Sequence, residues 1–283
     1  MSPLPELPRI PLAHLNAPPD PARRLRLMEV VRRRLRERRY SRRTEQAYVY
    51  WVRRYIVYHG RRHPKDLGES EVRAFLSSLA VEDRVAASTQ NQALAAVTFL
   101  YDSVLERPLV RIEGIQPARR SRHVPTVLAA SEVRAILAKL AEPIRLCAAL
   151  MYGSGLRLLE CVALRIKDVD MERREIVVRG GKGGKDRRVP LAERCIPQLT
   201  KLLAEEQKRF RVDTRSGVRT TDLPDALARK CPNAEHEYRW RYVFAASRIF
   251  ADSAGVRRRH HLHESAVQRA FKNAVTAAGI TKH

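Results

Sequence analysis

Apolar residues return at helical spacing through most of the first hundred positions. Met28, Val31 and Leu35 lie on one stripe, and Ala47, Tyr48, Trp51, Val52 and Tyr55 on the next, the three-and-four spacing that turns one face of a helix inward. Ser41 is placed to cap the second helix, and the runs from Ser70 to Leu79 and from Ser88 to Tyr101 supply a third and a fourth, each opened by a serine. The pattern predicts a four-helix domain over residues 23–110. Ahead of it, Pro3, Pro5, Pro8, Pro11, Pro18, Pro19 and Pro21 crowd a tail, residues 1–22, that is expected to be disordered because fixed φ angles and missing donors oppose helix and sheet alike. Behind it, residues 111–124 carry Gly114, Pro117, Arg119, Arg120 and Arg122 with little periodicity, which suits an exposed basic linker.

Residues 125–283 read as a second domain. A capped helix is predicted from Ser131, and another from Ile144 to Tyr152, where Gly153 and Gly155 interrupt the pattern. Arg157 opens the next helix, and Asp168-Val-Asp reads as a turn. Glu175 to Arg179 and Arg187 to Leu191 are short strands around a glycine-rich turn, and Leu199, Leu202 and Leu203 mark a further helix. Val267, Ala270, Phe271, Ala274, Val275 and Ala278 then share a helical stripe that closes at Gly279. The fold class is mainly α with a small β-hairpin.

Charge narrows the partner. The 283 residues carry a formal net charge of +24, and between Arg23 and Arg62 fifteen arginines face three glutamates. An extended anionic partner follows, with nucleic acid ahead of a membrane surface. The sequence contains no stretch near the roughly 20 apolar residues of a membrane span and no signal-peptide core, so a cytoplasmic location is expected. Cys147, Cys161, Cys195 and Cys231 form no Cys-x-x-Cys pair and read as packing residues. No metal site is expected.

The candidate chemistry is cationic. Met151-Tyr-Gly-Ser-Gly-Leu-Arg157-Leu-Leu-Glu160 sets an arginine one helical turn before an acid, and Gly180-Gly-Lys182-Gly-Gly-Lys185 sets a lysine on the hairpin. An arginine fork and a lysine point charge can converge on one phosphodiester. They bind and polarise phosphate without breaking it.

These boxes, in this order, resemble the first half of a tyrosine recombinase active site. The run Arg43-Thr-Glu-Gln-Ala-Tyr-Val-Tyr-Trp51, the run Ala87-Ser-Thr-Gln-Asn-Gln-Ala-Leu94, an insertion over about 222–244 and Arg257-Arg-Arg-His-His261 make the likeness one to the integron integrases. The resemblance implies an N-terminal four-helix SAM-like core-binding domain and an α+β catalytic domain. It implies that Arg157 contacts the scissile phosphate, that Glu160 helps hold the site, and that Lys182 is the general acid toward the leaving 5′ oxygen. The implied partners are double-stranded attachment sites and folded single-stranded cassette sites, gripped by a tetramer without metal or nucleotide cofactor. Trp240 matches an aromatic position of the insertion, and His260 and His261 match a paired histidine, where flat side chains stack a protruding base. In the basic helices Arg42, Arg43, Arg53, Gln90 and Asn91 are candidate DNA contacts.

The second half of that site has no counterpart. The His-x-x-Arg box should begin just beyond Gly279-Ile-Thr-Lys-His283, with the nucleophilic tyrosine after it. His236-Glu-Tyr-Arg239 and His59-Gly-Arg-Arg62 share that spelling, with Tyr238 and Tyr242 nearby, but stand in the wrong order along the chain. The expectation is a C-terminally truncated catalytic domain that binds recombination sites, does not cleave them, and is monomeric or weakly associating, with apolar surface left open near Val267, Phe271 and Val275. Two alternatives stand: a longer cellular protein that is a complete recombinase, and a non-catalytic regulator or inhibitor of intact recombinases.

Overall fold

The computed structural model describes residues 21–109, 126–181, 184–219, 223, 225–252 and 254–282. The predicted disordered tail up to residue 20, all of the predicted linker, Lys182 and the start of the predicted insertion lie outside them. The chain divides into two compact units, Met1–Val124 and Pro125–His283.

The first unit is helical: α1 (Pro21–Glu37), α2 (Arg42–Tyr58), α3 (Glu69–Val81) and α4 (Ala87–Phe99), the last running into a π-helical turn, Leu100–Val104. The first helix takes in Pro21 and Ala22, which the sequence assigned to the tail; proline suits a first helical position because its missing N–H has no partner there. Val31, Leu35, Trp51, Val52, Tyr55, Phe75, Leu79 and Val97 meet in one core, each large apolar side chain contributing about 1.5–3 kcal/mol on burial. Three of the buried aromatic polar groups are paired: Trp51 Nε1 donates to Gln92 Oε1 at 3.1 Å, and the Tyr55 and Tyr101 hydroxyls meet at 2.9 Å. Gln90 is also used internally, its amide donating to the Leu76 carbonyl at 2.9 Å, whereas Arg42, Arg43 and Arg53 are exposed.

The capping serines divide. Ser41 caps α2 as expected, its hydroxyl accepting from Thr44 N–H at 3.1 Å. Ser70 and Ser88 lie inside α3 and α4. In the second unit, Ser131 likewise lies inside α5 (Ala130–Ala138). At α3 and α5 a glutamate three residues beyond the cap does the work, Glu71 accepting from Gly68 N–H at 2.8 Å and Glu132 from Ala129 N–H at 2.7 Å. A carboxylate on that turn satisfies an orphan donor and favours the positive end of the helix dipole.

The second unit continues with α6 (Ile144–Ser154), α7 (Leu158–Val162), β1 (Val169–Asp170), β2 (Glu175–Val178), β3 (Arg187–Pro190), α8 (Ile196–Arg215), α9 (Asp225–Lys230), β4 (Phe250–Ala251), β5 (Arg257–Arg258) and α10 (Glu264–Ala277). The three strands β1–β2–β3 form an antiparallel sheet in which Ile176 pairs with Val189 and Val178 with Arg187. The sequence missed β1: Asp168-Val-Asp, read as a turn, leads into a two-residue strand opposite Glu175 and Ile176. Two residues are too few for alternation to show. Ile176 and Val178 point into a core with Leu146, Leu150, Val162, Leu199, Val243, Phe244 and Val267. Helix α10 buries Val267 and Ala274 but leaves Phe271 36% exposed, and Gly279 takes the left-handed φ of 68° that ends it. Among the described residues no helix is long and apolar enough to cross a membrane.

Candidate functional site

Arg157 stands at the entrance of α7, where backbone geometry sets it. Gly155 at φ 65° turns the chain out of α6, a conformation glycine adopts without a Cβ clash. Gly153 packs so closely that a Cβ there would lie 2.6 Å from Ala192 Cβ. Arg157 is the N-cap in extended conformation, and Glu160 folds back on it twice, accepting from its N–H and from its guanidinium Nη1, both at 2.8 Å. The Arg157 side chain keeps 46% of its surface exposed. Pairing with Glu160 therefore orients the arginine and leaves donors for a ligand.

Glu160 does more than hold Arg157. Arg187, the first residue of β3, grips the same carboxylate with a fork of 2.8 and 2.6 Å. The Arg187 hydrogen bonds, ahead of those from Arg157, pull the Glu160 carboxyl down to about 2, so it is ionised at every working pH. One carboxylate thus ties the arginine box to the hairpin. A second tie lies on the other strand: Arg179, next after β2, donates Nε to buried Asp168 at 2.7 Å, and Lys167 reaches the same oxygen at 2.8 Å. Asp186 caps the turn, accepting from Gly180 N–H at 2.8 Å. Gly181, the residue before Lys182, is pressed against this network, since a Cβ on it would sit 2.8 Å from Arg187 Nη1 and 3.4 Å from Glu160 Oε1. Lys182 itself lies outside the described residues. Sequence reading missed Arg187, Arg179 and Asp168. The available signal was that an arginine stands on each side of a glycine turn, each in reach of an acid from the preceding segment.

Trp240, His260 and His261 come together in a second cluster. The segment 241–246 runs between two others as an irregular ribbon: Val243 N–H donates to Leu164 O at 2.8 Å, and Leu262 N–H to Phe244 O at 2.6 Å. Half-buried Trp240 has Lys167 Nζ 4.6 Å and the Arg165 guanidinium 5.7 Å from its ring centroid, and its carbonyl accepts from Arg165 at 2.7 Å. The same guanidinium lies 4.8 Å from the Tyr242 ring. Tyr242 touches both histidines, with ring centroids 5.4 Å from His260 and 5.1 Å from His261, and the two imidazoles are 4.0 Å apart. Aromatic rings alternating with cations form a wall suited to a planar base and its phosphate. Lys167 bridges this wall to Asp168, so the wall and the hairpin base share one chain of contacts.

The other readings also find their places. Tyr238 OH donates to Leu203 O at 2.7 Å, Arg239 pairs with Glu237, and His59 Nε2 lies 3.0 Å from Glu71 O. Tyr238 and His59 are engaged within the fold, and the Arg239–Glu237 pair is an exposed surface contact. Cys147 and Cys161 are buried with their sulfurs 3.5 Å apart, and Cys195 is buried nearby in the same core. Among the described residues no group of three or more His, Cys, Asp or Glu side chains is set to hold a metal.

Residues 27–111 match the model of the phage integrase N-terminal SAM-like domain, and residues 126–283 that of the phage integrase family. An integrase/recombinase of Escherichia coli and one of Pseudomonas aeruginosa are each 47% identical over 268 residues, which is 94% of this chain and 80% of theirs. Tyrosine recombinase XerA of Thermococcus kodakarensis is 34% identical over 178 residues, 61% of this chain and 56% of the relative. Among solved structures, a lambda integrase dimer bound to a COC′ core site matches with a TM-score of 0.56 at 15% identity, over 91% of this chain and 79% of that one, and the likeness is one of fold. With both domain models matched in order and nearly half of the residues identical to those two relatives, the chain belongs to the phage integrase family.

Proposed function

We propose that this chain is a site-specific DNA recombination protein of the integron integrase type, binding double-stranded attachment sites and folded single-stranded cassette sites. In this reading Arg157 holds the non-bridging oxygens of the scissile phosphate, and Lys182 sits across the same phosphate as proton donor to the leaving 5′ oxygen. Residues 23–110 grip the duplex, and residues 125–283 carry the phosphate site with the insertion at about 222–244. Trp240, His260 and His261 stack a base that protrudes from a folded strand.

The observation that carries the reading is the shared carboxylate. Glu160 orients Arg157 at 2.8 Å and simultaneously anchors the hairpin through Arg187, so two cation-bearing elements are held to one point. Preorganised donors of this kind stabilise a transition state without reorganising at the moment of reaction, each worth about a hundred- to a thousandfold in rate. Tyr238 and Tyr242, the tyrosines beside His236-Glu-Tyr-Arg239, are engaged in the fold, one donating to Leu203 O and the other packed on His260 and His261, so these 283 residues by themselves are proposed to hold DNA without cutting it. No cofactor is needed for a transesterification that conserves bond energy.

The test is a nicked suicide oligonucleotide of a recombination site. A mobility shift without a covalent protein–DNA adduct is expected, and Arg157→Ala should weaken the shift on the site more than on random duplex. A covalent adduct would overturn the non-cleaving reading. An unchanged shift in Arg157→Ala would overturn the phosphate role.

A further inference from the structure

Next in sequence to the residues of the aromatic wall stand buried charges that its chemistry does not use. Asp213, on the last full turn of α8, is 4% exposed and faces two arginines from different stretches of chain. Arg259 meets it with a fork, Nε and Nη2 each at 2.7 Å from one carboxylate oxygen. Arg241 Nη1 lies 2.8 Å from Asp213 Oδ2, and Arg241 Nε donates to Glu206 Oε2 at 3.0 Å. Burial works to raise the Asp213 pKa, but the Arg259 fork and the charge of the Arg241 guanidinium beside it outweigh it and hold the carboxyl below its usual range. The pair is a fixed charge cluster.

Its position in the sequence gives it a role. Arg241 lies between Trp240 and Tyr242, and Arg259 directly precedes His260 and His261. Both members of the wall are therefore one residue away from a guanidinium that ends on the same carboxylate. Arg259 also donates Nη1 to the carbonyls of Ala246 and Ser247 at 2.9 and 2.6 Å, fixing the ribbon that joins the two stretches. The wall is otherwise built from segments with little regular structure, the strands β4 and β5 being two residues each. Resting on the stacking role given above to Trp240 and the histidines, we propose that Asp213 is a positioning residue that sets the spacing between the Trp240–Tyr242 and His260–His261 stretches and thereby confers preference for DNA with an unpaired, protruding base. Asp213 touches no DNA in this proposal. A buried carboxylate suits the task because its fork with Arg259 tolerates little change in direction while its charge holds the Arg241 guanidinium beside it.

The experiment compares binding of two DNA hairpins of equal length, one fully paired and one with a single unpaired base in its stem, by the whole 283-residue chain. Wild type should prefer the second hairpin by about tenfold, the scale of one base–aromatic stack. Asp213→Asn should lose most of that preference while its affinity for the paired hairpin stays within about twofold, since stacking alone is disturbed. Asp213→Glu, which keeps the charge, should restore part of it, and in a Trp240→Ala background Asp213→Asn should have no further effect. Should Asp213→Asn fail to fold, Arg259→Lys, which keeps the charge but loses the fork, must show the same selective loss. A wild-type chain without the preference would sink the stacking reading and this proposal with it. A wild-type preference that folded Asp213→Asn or Arg259→Lys retains, or a loss that falls equally on both hairpins, would overturn the positioning role alone.

Discussion

Replacing Glu160 with glutamine removes one charge from between two arginines, and the structure lets its cost be worked out. A carboxyl held at about 2 against an ordinary value of about 4.3 corresponds to about 3 kcal/mol of stabilisation of the folded state at neutral pH. That is an upper figure: Glu160 is only 10% exposed, but Arg157 and Arg187 keep 46% and 33% of their side-chain surface, and water around the arginines screens the pair. We expect Glu160→Gln to cost about 1–2 kcal/mol at pH 7. The sign with pH follows from the depressed value. The carboxylate contributes fully above the unfolded-state pKa near 4.3 and loses that contribution as pH falls towards 2, so wild type and variant should converge between about pH 5 and pH 2. The assay is urea denaturation followed by tryptophan emission: Trp240 reports the second unit and Trp51 the first. A gap at pH 7 that persists undiminished at pH 2, or the absence of any gap at pH 7, would refute the assignment of Glu160 as an ionised tie.

Gly153→Ala should lose about 1–3 kcal/mol in denaturant midpoint, because the new Cβ meets Ala192 Cβ at 2.6 Å where two backbone segments pack. Gly181→Ala should push Arg187 off Glu160, since the added methyl would lie 2.8 Å from Arg187 Nη1; crystallography or a pH profile resembling that of Glu160→Gln would show it. Ser41→Ala removes the serine cap of α2 and should destabilise the first unit by about 1 kcal/mol in thermal unfolding. If the basic helices and the second unit neutralise about six phosphates together, affinity for duplex DNA should fall with a log–log salt slope of about minus five, and a slope near zero in a titration would argue against a phosphate grip.

Local pattern was enough for much of this chain. The stripe of Val31, Leu35, Trp51, Val52 and Tyr55 specified helices whose inner faces meet in one core, because helical periodicity depends only on neighbours a turn away. Gly155 and Gly279 announced left-handed helix ends for the same reason. The serines misled at Ser70 and Ser131: a side-chain acceptor at the cap and a glutamate one turn in are interchangeable solutions to the same orphan N–H, and sequence alone does not rank them.

From residue order alone came two helical domains, a cationic pair on neighbouring elements and an aromatic insertion, since motif spacing and charge are properties of the chain itself. Tertiary structure decided which charges are spent on which. Arg187 could equally have been a surface cation, but packing brings it to Glu160 across 27 positions. Leu199, Leu203, Glu206 and Asp213 share one helix face, yet whether the two acids on it would meet a partner depended on Arg241 and Arg259 returning from 35 and 46 residues away. A buried charge is viable only when such a partner arrives, and that pairing is a property of the folded chain.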